Sequence, residues 1–116
     1  MVKMSKRLIA LLLLTIAFLL LVASGSYAKP ITPLSYAKQL VKDETQYKCL
    51  VVLWTKESNW RPTADNPDST AFGIAQMLNE KSTDPYRQIR NGLRYLYGRY
   101  GTPCQALRFH ERHNWY

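Results

Sequence analysis

The sequence predicts a mostly α-helical domain of four or five short helices, with little or no β-sheet, behind an N-terminal apolar segment. Three observations carry this. Tyr47-Leu50-Val51-Trp54 and Tyr86-Ile89-Leu93-Leu96-Tyr100 repeat at spacings of three and four, the period of a helix with one buried face. Helix-opening residues stand before these stretches and elsewhere: Thr32-Pro33, Asp43-Glu44-Thr45, Asp84-Pro85 and Thr102-Pro103. The chain has 116 residues, of which about 88 remain from Lys29 on. That length allows one modest core and excludes a multidomain enzyme, a dinucleotide-binding domain or an ordinary barrel.

The elements follow in order. Lys3, Lys6 and Arg7 precede Leu8 to Ala23, a stretch of 16 residues without charge. Small residues at Ser26 and Ala28 come next. A basic start, an apolar block and a small-residue site describe a signal peptide over residues 1–28, cut after Ala28. The block is slightly long for a signal and slightly short for a span, so an uncleaved membrane anchor through residues 8–23 stays open. Either way, residues 29–116 are expected outside the cytoplasm: secreted, periplasmic or associated with the cell wall.

Lys29 to Pro33 reads as a linker, and Pro33 opens a short helix from Leu34 to about Lys42. The next helix starts at Asp43-Glu44-Thr45 and runs to about Ser58, with Val52 and Leu53 widening its apolar stripe. Asn59 to Thr70, with Pro62, Pro67 and several Asx residues, is a loop. Asp84-Pro85 starts a helix that Gly101 stops, its arginines mostly off the apolar stripe. Thr102-Pro103 starts the last helix, with Cys104, Leu107 and His110 facing inward. No internal repeat or low-complexity tract is present.

Residues 29–116 hold 13 Lys+Arg and 8 Asp+Glu, a net of +5. Such a balance suits a nucleic-acid binder, but an exported chain meets anionic envelope polymers and lipid head groups instead. A merely soluble basic surface is the plain alternative. Cys49 and Cys104 are the only cysteines. An oxidising compartment favours their disulfide, which would contribute ~4 kcal/mol by chain entropy; two buried thiols are the other possibility.

Glu57 carries the chemical interest. It ends a buried-looking helix, with Trp54 three residues before it and Trp60 three after. Partial desolvation and the negative end of the helix dipole both raise a carboxyl pKa. A raised carboxyl suits a general acid near neutrality. From this feature alone, a solvated glutamate at a helix end fits as well. Asp65 and Asp68, on the following loop, could hold a water for inverting hydrolysis, or simply serve turn chemistry. His110 and His113 flank Glu111 but lack the spacing of a zincin pair, so no metal is expected. Trp115 and Tyr116 could stack on sugars or close the core.

The wider string is more specific. It reads Glu57-Ser58-x-Trp60-x-Pro62-x-Ala64-x-Asn66, then Ala71-Phe72-Gly73-Ile74-Ala75-Gln76. This resembles the soluble lytic transglycosylase family of the lysozyme-like superfamily, whose motif is Glu-Ser-x-aromatic-x-Pro-x-Ala-x-Ser followed by Gly-Ala-x-Gly-Leu-Met-Gln. Asn66 replaces the family's serine, Ala75 its methionine, and the loop near Pro67 to Ser69 is one residue longer. Ile89, Gly92, Tyr95 and Leu96 are similar to the family's next helix. The segment from Tyr100-Gly101-Thr102-Pro103-Cys104 to Trp115-Tyr116 is similar to small phage and actinobacterial cell-wall lytic domains. Phe109-His110-Glu111-Arg112-His113 departs from the larger enzymes' last helix and leaves the family's active-site tyrosine unassigned.

The resemblance covers roughly residues 46–116 and implies a lysozyme-like domain over residues 29–116. It implies cleavage of the β-1,4 bond between N-acetylmuramic acid and N-acetylglucosamine, with Glu57 as acid and then base. Closure of the muramic 6-hydroxyl onto C1 would give a 1,6-anhydro sugar. Ser58, Phe72, Gly73, Gln76, Tyr95 and His110 would bind the glycan, with Ser58 bracing Glu57 or the loop. No cofactor is expected. The expected partner is the peptidoglycan strand rather than nucleic acid, met by a monomer. A hydrolytic muramidase on the same fold, a non-catalytic wall-binding module and a membrane-anchored basic helical protein without sugar chemistry are the alternatives.

Overall fold

The computed structural model describes residues 3–23, 25 and 28–116. The chain divides into two compact units, Met1–Pro30 and Ile31–Tyr116. The first contains helix α1, Lys6–Ala23, whose leucine and isoleucine side chains are exposed. Among the described residues, no helix is long and apolar enough to cross a membrane. Ser26 of the expected cleavage site lies outside the described residues.

The second unit is mostly helical: α2 (Pro33–Leu40), α3 (Glu44–Ser58), α4 (Pro85–Tyr100) and α5 (Pro103–His113). All four openings carry the expected caps. Thr32, Asp43, Asp84 and Thr102 accept hydrogen bonds from the backbone N–H groups of Ser35, Gln46, Tyr86 and Gln105. Strands β1 (Ala71–Phe72) and β2 (Met77–Leu78) form one short antiparallel hairpin, pairing Ala71 with Leu78 and Phe72 with Met77. An isolated bridge joins Asp65 to Phe72, so the expected loop folds back onto the hairpin.

The core joins Leu50, Leu53 and Trp54 of α3 to Ile89, Leu93 and Leu96 of α4, with Ala37, Ile74 and Ala106 between them. Each large apolar side chain buried here contributes roughly 1.5–3 kcal/mol. Val52 does not widen the stripe; it is 44% exposed. At about 100° per residue it lies on the opposite side of α3 from Leu50 and Trp54. Gly92 explains how closely α4 approaches α3. A Cβ there would lie 2.8 Å from Trp54 Cζ2 and 2.7 Å from the Ala75 Cβ.

Cys49 and Cys104 are disulfide-bonded, with Cα atoms 5.0 Å apart. The bridge joins α3 to the first turn of α5. Beside it, the Cys104 backbone N–H donates to Gln46 Oε1 at 2.9 Å. The pair of helices that carries Glu57 and His110 is therefore fastened covalently and by a hydrogen bond.

Candidate active site around Glu57

Glu57 occupies the last turn of α3, which ends at Asn59 in the left-handed region with φ 52°. The chain then turns sharply, and Trp60 packs edge-on against Trp54 at 5.2 Å. The Glu57 side chain is only 15% exposed. Burial pushes its carboxyl from 4.5 up to about 7. The protonated acid therefore persists to near neutrality.

The carboxyl borders a cavity of about 280 Å³, whose wall includes Asn66, Ser69, Gln76, Asn114 and Trp115. Gln76, Leu78, Trp115 and Tyr116 also line an adjoining cavity of about 330 Å³. Leu78 and Tyr95 continue into a third of about 320 Å³. The three share walls along the β-hairpin, so Glu57 stands at one end of an extended groove.

His110 of α5 faces Glu57. Its Nε2 lies 2.8 Å from Glu57 Oε1, and its side chain is 13% exposed. Oε1 nevertheless receives no aligned hydrogen bond. Burial lowers the His110 pKa, and nearby Lys56 lowers it further, while Glu111 opposes them. Both partners are thus biased towards their neutral forms. Of the expected glycan contacts, His110 is the one that meets Glu57 directly.

The other expected residues divide by position. Ser58 is buried, and its hydroxyl donates to the Ile74 carbonyl. It braces the turn below Glu57 and does not line the groove. Gly73, at φ 82°, is also buried; a Cβ there would lie 2.5 Å from the Gln88 side chain. The close approach that requires glycine in this structure is to Gln88. Gln76 lines the groove, but its amide donates to the Ala64 and Gly73 carbonyls, at 3.0 and 2.9 Å. Only its Oε1 remains to accept. Phe72 sits half-buried on β1, away from the wall of the Glu57 cavity. Tyr95 lines the two adjoining cavities and packs edge-on against Tyr116 at 5.9 Å.

Asp65 and Asp68 are exposed, and neither borders the cavity of Glu57. His113 stacks on Phe109 at 4.0 Å, apart from the Glu57–His110 pair. Among the described residues, no three His, Cys, Asp or Glu side chains gather as a metal site. Trp115 and Tyr116 take different roles. Trp115 is 50% exposed on the groove, whereas the Tyr116 hydroxyl is fixed inside by Trp54 and Ala75.

No family model, curated protein or solved structure matches the chain.

The site also uses residues whose roles the sequence did not indicate. Gln88, 1% exposed, accepts from the Ile74 N–H at 2.9 Å. Its amide donates to the Pro62 and Ser82 carbonyls, at 2.9 and 2.7 Å. One buried amide so ties Pro62 and Ser82, near the two ends of the segment between α3 and α4, to the turn carrying Gly73. Asn66, Ser69 and Asn114 supply polar walls. Asn114, at φ 61°, ends α5 and returns the tail to the groove. A carboxyl that stays neutral to near pH 7, polar walls and an exposed indole together suit proton donation to a ligand in the groove.

Proposed function

We propose that this protein cleaves the β-1,4 bond between N-acetylmuramic acid and N-acetylglucosamine of peptidoglycan as a lytic transglycosylase. Glu57 serves as its single acid and base. The observation that carries this reading is the Glu57 carboxyl, pushed up to about 7 and set at the end of an extended groove. The Glu57-Ser58 to Gly73-x-x-Gln76 string agrees with it.

In this reading Glu57 gives its proton to the glycosidic oxygen. The C1–O bond breaks, and N-acetylglucosamine leaves with a free 4-hydroxyl. The muramic acetamido oxygen holds C1 meanwhile. Glu57, now a carboxylate, takes the proton of the 6-hydroxyl as that oxygen closes onto C1. The acid is regenerated and a 1,6-anhydro sugar departs. With Asp65 and Asp68 exposed, Glu57 is the one side-chain carboxyl lining this cavity among the described residues, which favours this route over two-carboxylate hydrolysis. The exposed Trp115 indole offers a face on which a sugar ring can stack.

Export agrees with the basic, apolar N-terminal segment and with the disulfide. Whether residues 8–23 leave with a signal or stay as an anchor, the groove acts on wall glycan outside the cytoplasm. The chain works as a monomer without a cofactor.

Digestion of purified peptidoglycan tests the proposal, with products weighed by mass spectrometry. Muropeptides one water lighter than the reducing form are expected. Reducing ends would indicate a muramidase, and binding without products a wall-binding module.

A further inference from the structure

We propose that His110 is a positioning residue for Glu57: its Nε2–H donates to Oε1, which leaves Oε2 as the oxygen that gives and retrieves the proton in the groove. The inference rests on the acid–base reading of Glu57 and adds a residue to it.

The geometry argues for a built pair. Glu57 and His110 come from α3 and α5, which the Cys49–Cys104 bridge joins. Glu57 stands eight residues beyond Cys49, and His110 six beyond Cys104. At ~1.5 Å of rise per residue, both lie about two turns from the bridge, along the same interface. The 2.8 Å approach therefore sits on a fastened pair of helices rather than on a loop. The Tyr116 hydroxyl cannot take the role, since it donates to Ala75 and accepts from Trp54.

A carboxylic acid has two interchangeable oxygens. A neutral imidazole that donates to Oε1 makes it the carbonyl oxygen and puts the acid proton on Oε2. Once Oε2 loses its proton, the same donor faces an anion, and its hydrogen bond becomes charge-assisted. The contact is then stronger in the transition state than in the ground state, which raises kcat rather than lowering KM. Oε1 has no aligned donor in this structure, and catalytic hydrogen bonds often align fully only in the substrate complex. The charged and titratable neighbours are Lys56 on α3, Glu111 on α5 and Tyr116 on the tail. Burial acts against charge on both members of the pair.

Kinetics of His110→Ala and His110→Gln on peptidoglycan, each across the pH range, test the assignment. His110→Ala is expected to lower kcat roughly 10- to 100-fold with KM little changed, the loss of one charge-assisted hydrogen bond. Its alkaline limb should move to higher pH, because the lost donor favours the carboxylate. His110→Gln, which keeps an N–H donor, should recover most of kcat and the position of the limb. Unchanged kcat and limb in His110→Ala would overturn the inference, as would failure of His110→Gln to recover either in a folded protein.

Ring ¹⁵N shifts of His110 in the wild-type protein give a second test, independent of any variant's folding. A neutral Nε2–H tautomer is expected at pH values above the His110 titration. A neutral Nδ1–H tautomer would overturn the inference. Absence of any digestion by wild-type protein would instead count against the acid–base reading, while the tautomer would still decide the pairing.

Discussion

The Trp54 indole N–H donates to the Tyr116 hydroxyl at 2.8 Å, and that hydroxyl donates to the Ala75 carbonyl, also at 2.8 Å. One phenol thereby joins the middle of α3, the C-terminal tail and the turn before β2. All three border or support the groove. Tyr116→Phe would leave a buried N–H and a buried carbonyl without this partner, at about 1–3 kcal/mol each. A thermal melt should show Tm lowered by roughly 10 °C or more for a domain of this size. A Tm within a degree of wild type would mean that the chain of bonds adds little.

The two glycines within α4, Gly92 and Gly98, should respond in opposite directions. Gly92→Ala forces a methyl against Trp54 and Ala75 and should cost about 1–3 kcal/mol. Gly98 has nothing within 4 Å of its Cβ position, so Gly98→Ala should stabilise by about 0.5–1 kcal/mol. Urea denaturation of both variants checks the contrast. Equal effects would contradict the close packing of α4 on α3.

Reduction of the Cys49–Cys104 bridge should lower stability by ~4 kcal/mol, as should a Cys49→Ala/Cys104→Ala double variant. The bridge fastens the helices that carry Glu57 and His110, so activity should fall under conditions where most of the reduced protein remains folded. Denaturant midpoints and digestion rates with and without reductant separate the two effects.

The pH dependence of stability follows from Glu57. Its folded pKa, about 7, lies above the ordinary 4.5, so the folded state holds this proton more tightly. That contribution is complete below pH 4.5, declines above it and is lost as pH rises through about 7. The lowered His110 pKa acts in the opposite sense: its contribution is present above 6.5 and lost as pH falls through the lower folded value. The Tm of wild type relative to Glu57→Gln, measured at about pH 4, 6 and 8, should therefore decrease from the first to the last. A difference independent of pH would mean that Glu57 titrates as an exposed carboxyl.

The helices were legible because their causes are local. Thr32-Pro33, Asp43, Asp84-Pro85 and Thr102-Pro103 mark starts through cap chemistry, and Gly101 marks a stop through φ 89°. The misplacement of Val52 came from widening a stripe by adjacency where helical angle decides. The burial of Glu57 was legible from its position at the end of an apolar helix beside tryptophans. Its partner was not, because residues 57 and 110 meet only through the crossing of α3 and α5.

The roles of the glycine and amides around the hairpin were obscured for the same reason. Gly73 has a neighbour 15 residues along the chain, Gln88, that excludes a side chain. Gln88 itself stands inside a helix, where nothing in the residue pattern separates a buried amide from a solvated one. The amide of Gln76 is occupied by carbonyls of the loop and turn that precede it. Trp115 and Tyr116 are adjacent aromatics, yet the turn at Asn114 sends one to the groove and the other to the interior.

In the proposed reaction the Glu57 carboxyl performs the chemistry. The most direct measurement compares wild-type protein and Glu57→Gln on purified peptidoglycan, with products weighed by mass spectrometry and folding checked by circular dichroism. Wild type should give anhydro-muropeptides, and a folded Glu57→Gln protein that still binds the wall should give none. The same products at an undiminished rate from Glu57→Gln would contradict that role.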